Sequence, residues 1–303
     1  MSSEKTILIT GATGRQGGAV ISALLASQPN PPINIIAVTR SVHTPSAHSL
    51  ASKPNVTVIE GDIDNPAAIF STANCPIWGV YSVQINSDSE ETQGKALIDA
   101  ALSHRVQHFV YSSGDRGGPE KSAVEATNVK NFRAKFMIEK YLEGRASASA
   151  GKMTYTILRP ATFMENHTND IHGTGFARMW QQIGPSKKLQ FVSSQDIGWF
   201  AAQAFLQPED KLYQNAALSL AGDELSQEEA DKVFREVVGY SMPMAPCLVG
   251  STLKWAMKGT LGDMFQWFKE VGYGADVEMC RRLKTDMLDY RQWLRERSGF
   301  MQR

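Results

Sequence analysis

The sequence predicts an α/β protein built on a doubly wound parallel sheet, and three observations support that prediction. Short apolar runs rich in β-favouring residues alternate with segments of helical period over residues 5–206. These runs are apolar throughout, which is typical of strands that helices cover on both faces. The first run ends in a glycine-rich turn that leads directly into a helix. Because crossovers between parallel strands are right-handed, helices are expected on both faces of the sheet.

The individual elements follow from the apolar runs and the residues that interrupt them. Seven strands are predicted, over residues 5–10, 33–39, 55–60, 77–83, 108–112, 153–158 and 216–220. Helices are predicted over residues 19–26, 90–103, 128–143, 196–206 and 226–238, and the last sixty or so residues also look helical. Asp196 is the expected N-cap of its helix, Ser226 begins a capping box, and residues 144–151 are expected to form an exposed loop.

The composition excludes several classes of protein. The 303 residues contain 31 Lys plus Arg and 31 Asp plus Glu, and this zero formal charge argues against direct nucleic-acid binding. No apolar run reaches the roughly 18 residues of a membrane helix, and the six histidines have no metal-ligand spacing, so neither membrane nor metal is expected. Cys75, Cys247 and Cys280 form no CxxC motif and indicate reduced thiols. Without a signal segment, the expected compartment is the cytosol, either alone or shared with the nucleus.

The glycine-rich turn after the first strand predicts a nucleotide site. Its sequence, GATGRQG, places Gly11, Gly14 and Gly17 between a strand and a helix. The first glycine permits a tight turn, the second lets the backbone approach a pyrophosphate, and the third allows the helix to pack closely on the strand. The start of the helix adds free N–H groups and a partial positive charge. The alternative is a glycine turn that serves packing alone.

The end of the second strand indicates which dinucleotide is bound. An NAD site usually carries an acidic residue there, which bonds the ribose 2′-hydroxyl. Here Arg40 follows Thr39, and its guanidinium suits a 2′-phosphate. Arg15 within the turn can add a second positive charge. NADP(H) is therefore expected rather than NAD(H). Asp62, after the third strand, has two equally weighted interpretations, as a partner of the adenine amino group or as a simple turn residue.

Four further segments give the sequence a family resemblance. They are VTRS at 38–41, YSSGDRGG at 111–118, NFRAKFMIEKYL at 131–142 and TILRPATFMEN at 156–166. With the glycine turn, they resemble the NmrA-like family, an atypical extended branch of the short-chain dehydrogenase/reductase superfamily, in its fungal form. Isoflavone-reductase-like enzymes are cousins of that family.

The resemblance implies two domains and a set of cofactor contacts. A Rossmann-type NADP(H)-binding domain would span residues 1–160, completed by parts of 187–222. A smaller lobe for substrate or partner would span 161–303, interleaved with the first. The pyrophosphate would be lined by Gly11, Thr13, Gly14, Arg15, Gln16 and Gly17. The remaining contacts would be Arg40 at the 2′-phosphate, Asp62 near adenine, Val83 and Gln84 at the ribose, Lys135 at the nicotinamide ribose, and Pro160, Ala161, Thr162 and Phe163 beside the nicotinamide.

The catalytic residues are where this sequence departs from the superfamily pattern. Most members use Tyr-x-x-x-Lys on a helix, where the Lys cation lowers the pKa of the Tyr so that it can exchange a proton near neutral pH. Here Lys135 matches the Lys, but Asn131 stands at the Tyr position and cannot titrate. Ser113 is a further candidate for orienting a substrate. Tyr155 and His167 are other possible donors, each of which fits a structural role better.

Two functions remain open at this stage. In the first, the protein is an NADPH-dependent oxidoreductase in which Lys135 acts as general acid or electrostatic stabiliser towards a small apolar carbonyl, enone or imine. In the second, it is a redox sensor and co-regulator that binds NADP(H) and a protein partner without turnover. The retained Lys135 favours the enzyme and the missing Tyr favours the sensor. The sequence leaves the oligomeric state open between a monomer and a homodimer.

Overall fold

In the computed structural model, the described residues are 5–184, 186–246 and 261–301, so Cys247 lies outside them. They form ten strands: β1 Thr6–Ile9, β2 Asn34–Thr39, β3 Val56–Glu60, β4 Gly79–Ser82, β5 His108–Ser112, β6 Thr154–Pro160, β7 Thr162–Phe163, β8 Leu189–Val192, β9 Ala216–Leu220 and β10 Asp223–Leu225. They also form twelve α-helices: α1 Arg15–Ala26, α2 Pro45–Ala51, α3 Pro66–Ala73, α4 Glu90–Ser103, α5 Pro119–Val124, α6 Lys130–Ala148, α7 Ile171–Ile183, α8 Ser194–Leu206, α9 Gln227–Val238, α10 Leu261–Glu270, α11 Val277–Leu283 and α12 Tyr290–Glu296.

Seven of the strands form one sheet that confirms the predicted fold class. Its order is β3-β2-β1-β4-β5-β6-β9, and the five pairings among the first six strands are parallel. The order reverses at β1, where the chain crosses to β4 on the other side. Parallel sheets of this kind leave a crevice at the carboxyl ends of the strands beside that reversal, where ligands bind.

The chain divides into two compact units that interleave along the sequence. The first unit comprises residues 1–113, 134–159 and 197–218, and the second comprises 114–133, 160–196 and 219–303. The second contains a small sheet of order β10-β8-β7, in which β8 pairs antiparallel with β10 and parallel with β7. The sequence-based boundary at residue 160 remains a prediction.

Two short helices that the sequence analysis did not predict have clear local causes. Thr44 caps α2 by accepting a hydrogen bond from the amide of Ala47, and Asn65 caps α3 by accepting one from Ala68. Each cap precedes a proline, whose fixed φ suits the first helical position and whose missing N–H costs nothing there. A capping residue followed by proline was therefore the signal that could have found both helices.

Two sequence-based expectations about helix ends are wrong. Residues 144–151 were expected to be a loop, but α6 continues to Ala148 and buries Ala146. The alanines and serines of this segment tolerate helix, and an apolar contact on one face is enough to extend it. Asp196 is not an N-cap, because α8 begins at Ser194. Its carboxylate is instead fully buried, with an oxygen 3.1 Å from the ammonium of Lys284, and burial raises the pKa of Asp196 to about 6.

The DRGG segment that carries part of the family resemblance has a structural role in the second unit. Asp115 is fully buried, and its Oδ1 accepts hydrogen bonds from the amides of Gly117 at 2.9 Å, Gly118 at 3.0 Å and Gly274 at 2.9 Å. A Cβ on Gly118 would lie 2.8 Å from the carbonyl oxygen of Gly274. The carboxylate therefore ties two distant chain segments together, and the glycines allow their backbones to touch.

His108 is a fully buried imidazole at the amino end of β5 in the first unit. Its Nδ1 lies 2.8 Å from Oγ1 of Thr154 and its Nε2 lies 3.1 Å from Oγ1 of Thr156. Thr156 donates its hydroxyl to the carbonyl of Tyr213 at 2.6 Å, so it accepts from the ring. Burial, and then the positive charge of Lys5, lower the pKa of His108 to about 3. The folded protein thus holds this ring neutral.

We expect acid to weaken the fold through His108. The unfolded chain binds a proton at this ring near pH 6.5 and the folded chain only near pH 3, so stability present above pH 6.5 is lost as the pH falls towards 3. At pH 5 the loss is about 2 kcal/mol. Urea unfolding of wild type and His108→Gln at pH 7.5 and 5 should show a loss on acidification that is smaller by this amount in the variant. The difference between the two proteins in the free energy of unfolding at pH 7.5 gives the packing cost of the substitution alone. If both proteins lost equal stability between pH 7.5 and 5, the assignment of this loss to His108 would be contradicted.

Candidate functional site

The glycine turn after β1 is built by close backbone contacts that side chains would block. Gly11 has a φ of +58°, in the left-handed region, and a Cβ there would lie 2.9 Å from Cγ1 of Val83. The amide of Gly14 donates to the carbonyl of Gly11 at 2.9 Å and closes the turn. Thr13, Gly14 and Arg15 are exposed at its tip. The turn therefore presents bare backbone at the carboxyl end of β1.

Helix α1 begins directly at this turn and packs against it through Gly17. A Cβ on Gly17 would lie 2.4 Å from the carbonyl oxygen of Gly11 and 2.9 Å from Cα of Ala12. These neighbours are backbone atoms, so only glycine allows the approach. Gly14 is the N-cap and has no side chain to bond the first amides of α1. The first-turn N–H groups, which have no partner within the helix, thus remain open to a ligand.

Gln16, which the resemblance places at the pyrophosphate, has its side-chain oxygen engaged within the protein. Its Oε1 accepts hydrogen bonds from the hydroxyl of Tyr81 at 3.1 Å and from that of Ser112 at 2.6 Å. Tyr81 and Ser112 lie near the ends of β4 and β5. The amide side chain of Gln16 therefore connects α1 to these two strands, and only its amide nitrogen is left to contact a ligand.

Arg40 follows the last residue of β2 and is exposed. Among the described residues it has no ion-pair partner within 4.0 Å, so its guanidinium is available to an anion. Glu60, which the sequence analysis did not single out, ends β3 and pairs in register with Thr39. Its Oε2 accepts a hydrogen bond from the amide of Val42 at 3.4 Å. An acidic residue thus does lie beside the end of β2, but it belongs to β3 and accepts a hydrogen bond from the backbone that follows Arg40.

Asp62 lies in a turn after β3. Its Oδ1 accepts a hydrogen bond from the amide of Asp64 at 3.0 Å, and its carbonyl accepts one from Asn65 at 2.9 Å. These contacts fit the interpretation of Asp62 as a turn residue. Asp62 as a whole is exposed.

The segment after β4 lies against the glycine turn and contains a buried acceptor without a donor. Oγ1 of Thr10 accepts a hydrogen bond from the amide of Val83 at 2.9 Å, which fixes this segment beside β1. Gln84 is 7% exposed, and its amide nitrogen donates to Oγ of Ser82 at 2.8 Å. Its Oε1 is buried without a partner among the described residues. A buried acceptor left in this state costs about 1–3 kcal/mol, which a donor on a ligand would recover.

Lys135 lies on α6, one turn after Asn131, and is held by a carboxylate from another helix. Its Nζ lies 2.5 Å from Oε1 of Glu90, the first residue of α4. The Glu90 side chain is fully buried and that of Lys135 is 13% exposed. Burial raises the pKa of Glu90, and the Lys135 charge and hydrogen bond oppose that shift. Since α4 follows β4, the ion pair lies on the carboxyl side of the sheet. Glu90 had no sequence signal, because acidic residues such as Glu90 and Glu91 are common in a first helical turn.

Ser113 is occupied by a second buried ion pair. Its hydroxyl donates to the carboxylate of Glu139, which also binds Arg159. The guanidinium approaches that carboxylate through Nη2 at 2.8 Å and Nε at 3.2 Å. Glu139 and Arg159 are 0% and 2% exposed. The serine therefore helps satisfy a structural carboxylate, and this bond must break before the Ser113 hydroxyl can donate to a substrate.

The residues implied beside the nicotinamide belong to the second unit. Thr162 and Phe163 form β7, whose partners in β8 are Phe191 and Val192. Oγ1 of Thr162 donates to the hydroxyl of Tyr273 at 3.1 Å. The neighbouring residues are also bonded through their backbones, since Pro160 accepts from the amide of Asp115 at 3.1 Å and Ala161 donates to Leu220 at 2.9 Å.

The two other sequence-based proton donors lie in structural settings. Tyr155 is the second residue of β6 and pairs in register with Phe109, which places it near the amino end of the strand. His167 is buried among aromatic rings, its Nδ1 lies 2.6 Å from the hydroxyl of Tyr290, and burial lowers its pKa to about 4. Neither arrangement resembles an exposed proton donor.

Strand order, glycine turn and open helix start together define a Rossmann-type doubly wound protein. The sequence profile of the NmrA-like family matches residues 3–295, so the chain belongs to that family. This confirms the resemblance carried by the four segments of the sequence. Among the described helices, none has the length and apolar character needed to cross a bilayer.

Curated relatives of this chain are fungal proteins. The NmrA-like family domain-containing oxidoreductase FrzB of Cladobotryum sp is 32% identical over 174 residues, which are 53% of this chain and 47% of that protein. The nitrogen metabolite repression protein nmr of Neurospora crassa is 26% identical over 280 residues, which are 78% of this chain and 53% of that protein. The aligned part thus spans about half the length of each of these relatives.

Solved structures share the fold at low sequence identity. The NADPH-dependent quinone oxidoreductase QOR2 of Escherichia coli, solved with NADPH, superposes with a TM-score of 0.72 at 20% identity and covers 94% of this chain and 97% of its own. NmrA, a negative transcriptional regulator solved in complex with NADP, has a TM-score of 0.68 at 18% identity, and the superposition covers 97% of this chain and 95% of NmrA. At such identities the likeness shows the fold alone.

We expect Gly17→Ala to destabilise the protein. The added methyl group meets backbone atoms of the turn at 2.4 Å, so α1 must move, at a cost of about 1–3 kcal/mol. Gly18→Ala is the matched control, because its Cβ would lie an ordinary 3.5 Å from the nearest atom. Urea unfolding should show a lower stability for Gly17→Ala than for the wild type. Gly18→Ala should show an unchanged stability, or a small gain from the higher helix propensity of alanine. Equal curves for the two variants would contradict the tight contact.

Proposed function

We propose that this protein is an NADP(H)-binding oxidoreductase that reduces a small apolar carbonyl, enone or imine without the usual tyrosine. The observation that carries the proposal is the glycine turn. Its close contacts leave no room for a side chain at Gly11 or Gly17, and no side chain caps the start of α1. Bare amides at a helix start suit a pyrophosphate, because they donate hydrogen bonds and carry partial positive charge. The names of the relative FrzB and of the structural neighbour QOR2 support an oxidoreductase.

The residues present fit a dinucleotide in three ways. Gly11 and Gly17 allow close contacts within the turn and between the turn and α1 that a Cβ would block, and Gly14 leaves the exposed tip of the turn without a side chain. Arg40, exposed at the end of β2, would hold a 2′-phosphate. Gln84 offers a buried acceptor that a ribose hydroxyl would satisfy. The complexes of QOR2 with NADPH and of NmrA with NADP support the same choice of cofactor.

The chemistry that remains for the chain is to orient a substrate and to hold a proton. When bound, NADPH supplies the hydride. Lys135 lies one helical turn after Asn131 on α6, and its ammonium can donate a proton to, or stabilise negative charge on, the reduced substrate. Asn131 can only form hydrogen bonds. The proposed general acid is therefore Lys135, with Asn131 in a binding role.

A sensor of the NADPH/NADP⁺ ratio is the second candidate. Asn131 at the tyrosine position favours it, because the usual proton relay is missing. The similarity to the Neurospora repression protein, which extends over 78% of this chain, points in the same direction. A sensor must bind the two redox forms with different affinity in two conformations. The proposed partner is then a protein.

Arg40→Ala should remove the preference for NADPH over NADH. A guanidinium–phosphate contact is worth about 1.5–3 kcal/mol, so the wild type should bind NADPH about ten to a hundred times more tightly than NADH. Titration calorimetry of both cofactors with both proteins measures this. NADH, which lacks the 2′-phosphate, is the internal control and should bind the variant unchanged. Equal affinities in the wild type would contradict the assignment of the 2′-phosphate to Arg40.

Lys135→Met should abolish turnover, as measured on variant protein that is folded. We expect oxidation of NADPH, followed by its absorbance with a panel of enones, imines and quinones, to fall at least a hundredfold, in the range lost with a general acid. Lys140→Met is the matched control, because Lys140 lies on the same helix and pairs with Glu143 at the surface. Full activity of Lys135→Met would contradict its role. If NADPH binds but no compound turns over, recovery of a partner that varies with the NADPH/NADP⁺ ratio would support the sensor.

A further inference from the structure

Glu90 is a buried carboxylate with one oxygen occupied and one oxygen free of any donor. Its Oε1 binds the ammonium of Lys135, while Oε2 has no hydrogen-bond partner among the described residues. The side chain is 0% exposed, so solvent does not satisfy that oxygen. Burying a carboxylate is costly unless all its lone pairs find donors. This arrangement is thus incomplete without a further donor.

The neighbouring buried pair in the same unit shows what a completed carboxylate looks like. Glu139, one helical turn after Lys135 on α6, accepts from Nε and Nη2 of Arg159 and from the hydroxyl of Ser113. That network has a guanidinium fork and a third donor, as expected of a purely structural ion pair. The pair of Glu90 and Lys135 has a single contact and leaves an acceptor open. The two pairs therefore differ in the feature that separates a structural site from a binding site.

The position of Glu90 points to the ligand that would complete it. Glu90 opens α4, which follows β4, and Gln84 in the connection between them has a second buried acceptor without a donor. Ligands of doubly wound sheets lie at these carboxyl ends. Two open acceptors, one of them on the carboxylate that binds the Lys135 ammonium, suit a group rich in hydroxyl or amide donors. A nicotinamide riboside has such donors, namely two ribose hydroxyls and a carboxamide.

We propose that Glu90 is a positioning residue, which fixes the Lys135 ammonium and accepts a hydrogen bond from the nicotinamide-riboside half of the cofactor. This rests on the proposed NADP(H) function. It assigns a role to a residue outside the tyrosine–lysine pattern, and it states which half of the cofactor depends on that residue. Binding of the adenosine half should be independent of Glu90.

The test compares two ligands that differ in the nicotinamide half. NADPH carries it, whereas 2′,5′-ADP consists of the 2′-phosphorylated adenosine with a 5′-phosphate only. We expect Glu90→Gln to raise the dissociation constant of NADPH about tenfold, the equivalent of one hydrogen bond to a charged group, and to leave that of 2′,5′-ADP unchanged. Glu91→Gln is the matched control, because it removes the same charge one residue further along α4, where Glu91 pairs with Lys95 at the surface.

The outcomes separate this inference from the proposed function. Wild-type affinity of Glu90→Gln for NADPH, or an equal loss for both ligands, overturns the positioning role, since a merely structural residue would affect both. Failure of the wild type to bind either ligand overturns the proposed function itself. If Glu90→Gln does not fold, Lys135→Met and the double variant Glu90→Gln/Lys135→Met decide, because the double variant leaves no unpaired buried charge. A lower NADPH affinity of the double variant than of Lys135→Met, with unchanged affinity for 2′,5′-ADP, supports the inference, because Glu90 then contacts the cofactor itself. Equal NADPH affinities of the two variants contradict it.

Discussion

The contact of Gly17 with the backbone of Gly11 is the constraint on which the candidate site depends. It holds the first turn of α1 against the end of β1 at a distance that no side chain permits. The bond from Val83 to Thr10 then fixes the connection after β4 beside the same turn. Because β1 and β4 flank the reversal of strand order, this arrangement places bare amides, Gln84 and the start of α4 at one edge of the sheet. The topology alone would not leave that edge open to a pyrophosphate.

Two ion pairs of the first unit are buried, and each is formally neutral. Glu90 with Lys135 and Glu139 with Arg159 place two carboxylates and two cations within one unit. Hydrophobic residues of similar volume would serve stability as well or better, since desolvation offsets much of the attraction. The Arg159 pair links α6 to β6 and completes its hydrogen bonds. The pair of Lys135 and Glu90 links α6 to α4 but leaves one carboxylate oxygen of Glu90 without a donor. Ligand binding therefore explains this pair better than the fold does.

The sequence predicted the sheet and the glycine turn because both have strong local signals. Apolar runs identify strands that are buried on both faces, and three spaced glycines after a strand permit few alternatives. It did not predict Glu90 or Glu139, since a carboxylate on an amphipathic helix looks like a solvated residue until the helix partner is known. Nor did it indicate that the side-chain oxygen of Gln16 accepts hydrogen bonds from Tyr81 and Ser112, since these residues are far apart in sequence. The limit in each case is tertiary context.

Turnover by this protein depends on how a site works with Asn131 at the position where the family resemblance places the usual tyrosine. An amide forms hydrogen bonds but cannot lose or regain a proton, so catalysis needs another group with an exchangeable proton at the same place. Ser113 is held by Glu139, and Tyr155 lies near the amino end of its strand, which leaves Lys135 on that helix face. A protein that only sensed the cofactor would need shape and hydrogen bonds there, and an uncharged residue would provide them without the desolvation of a buried pair. The cation that Glu90 holds is thus the feature that favours chemistry over sensing.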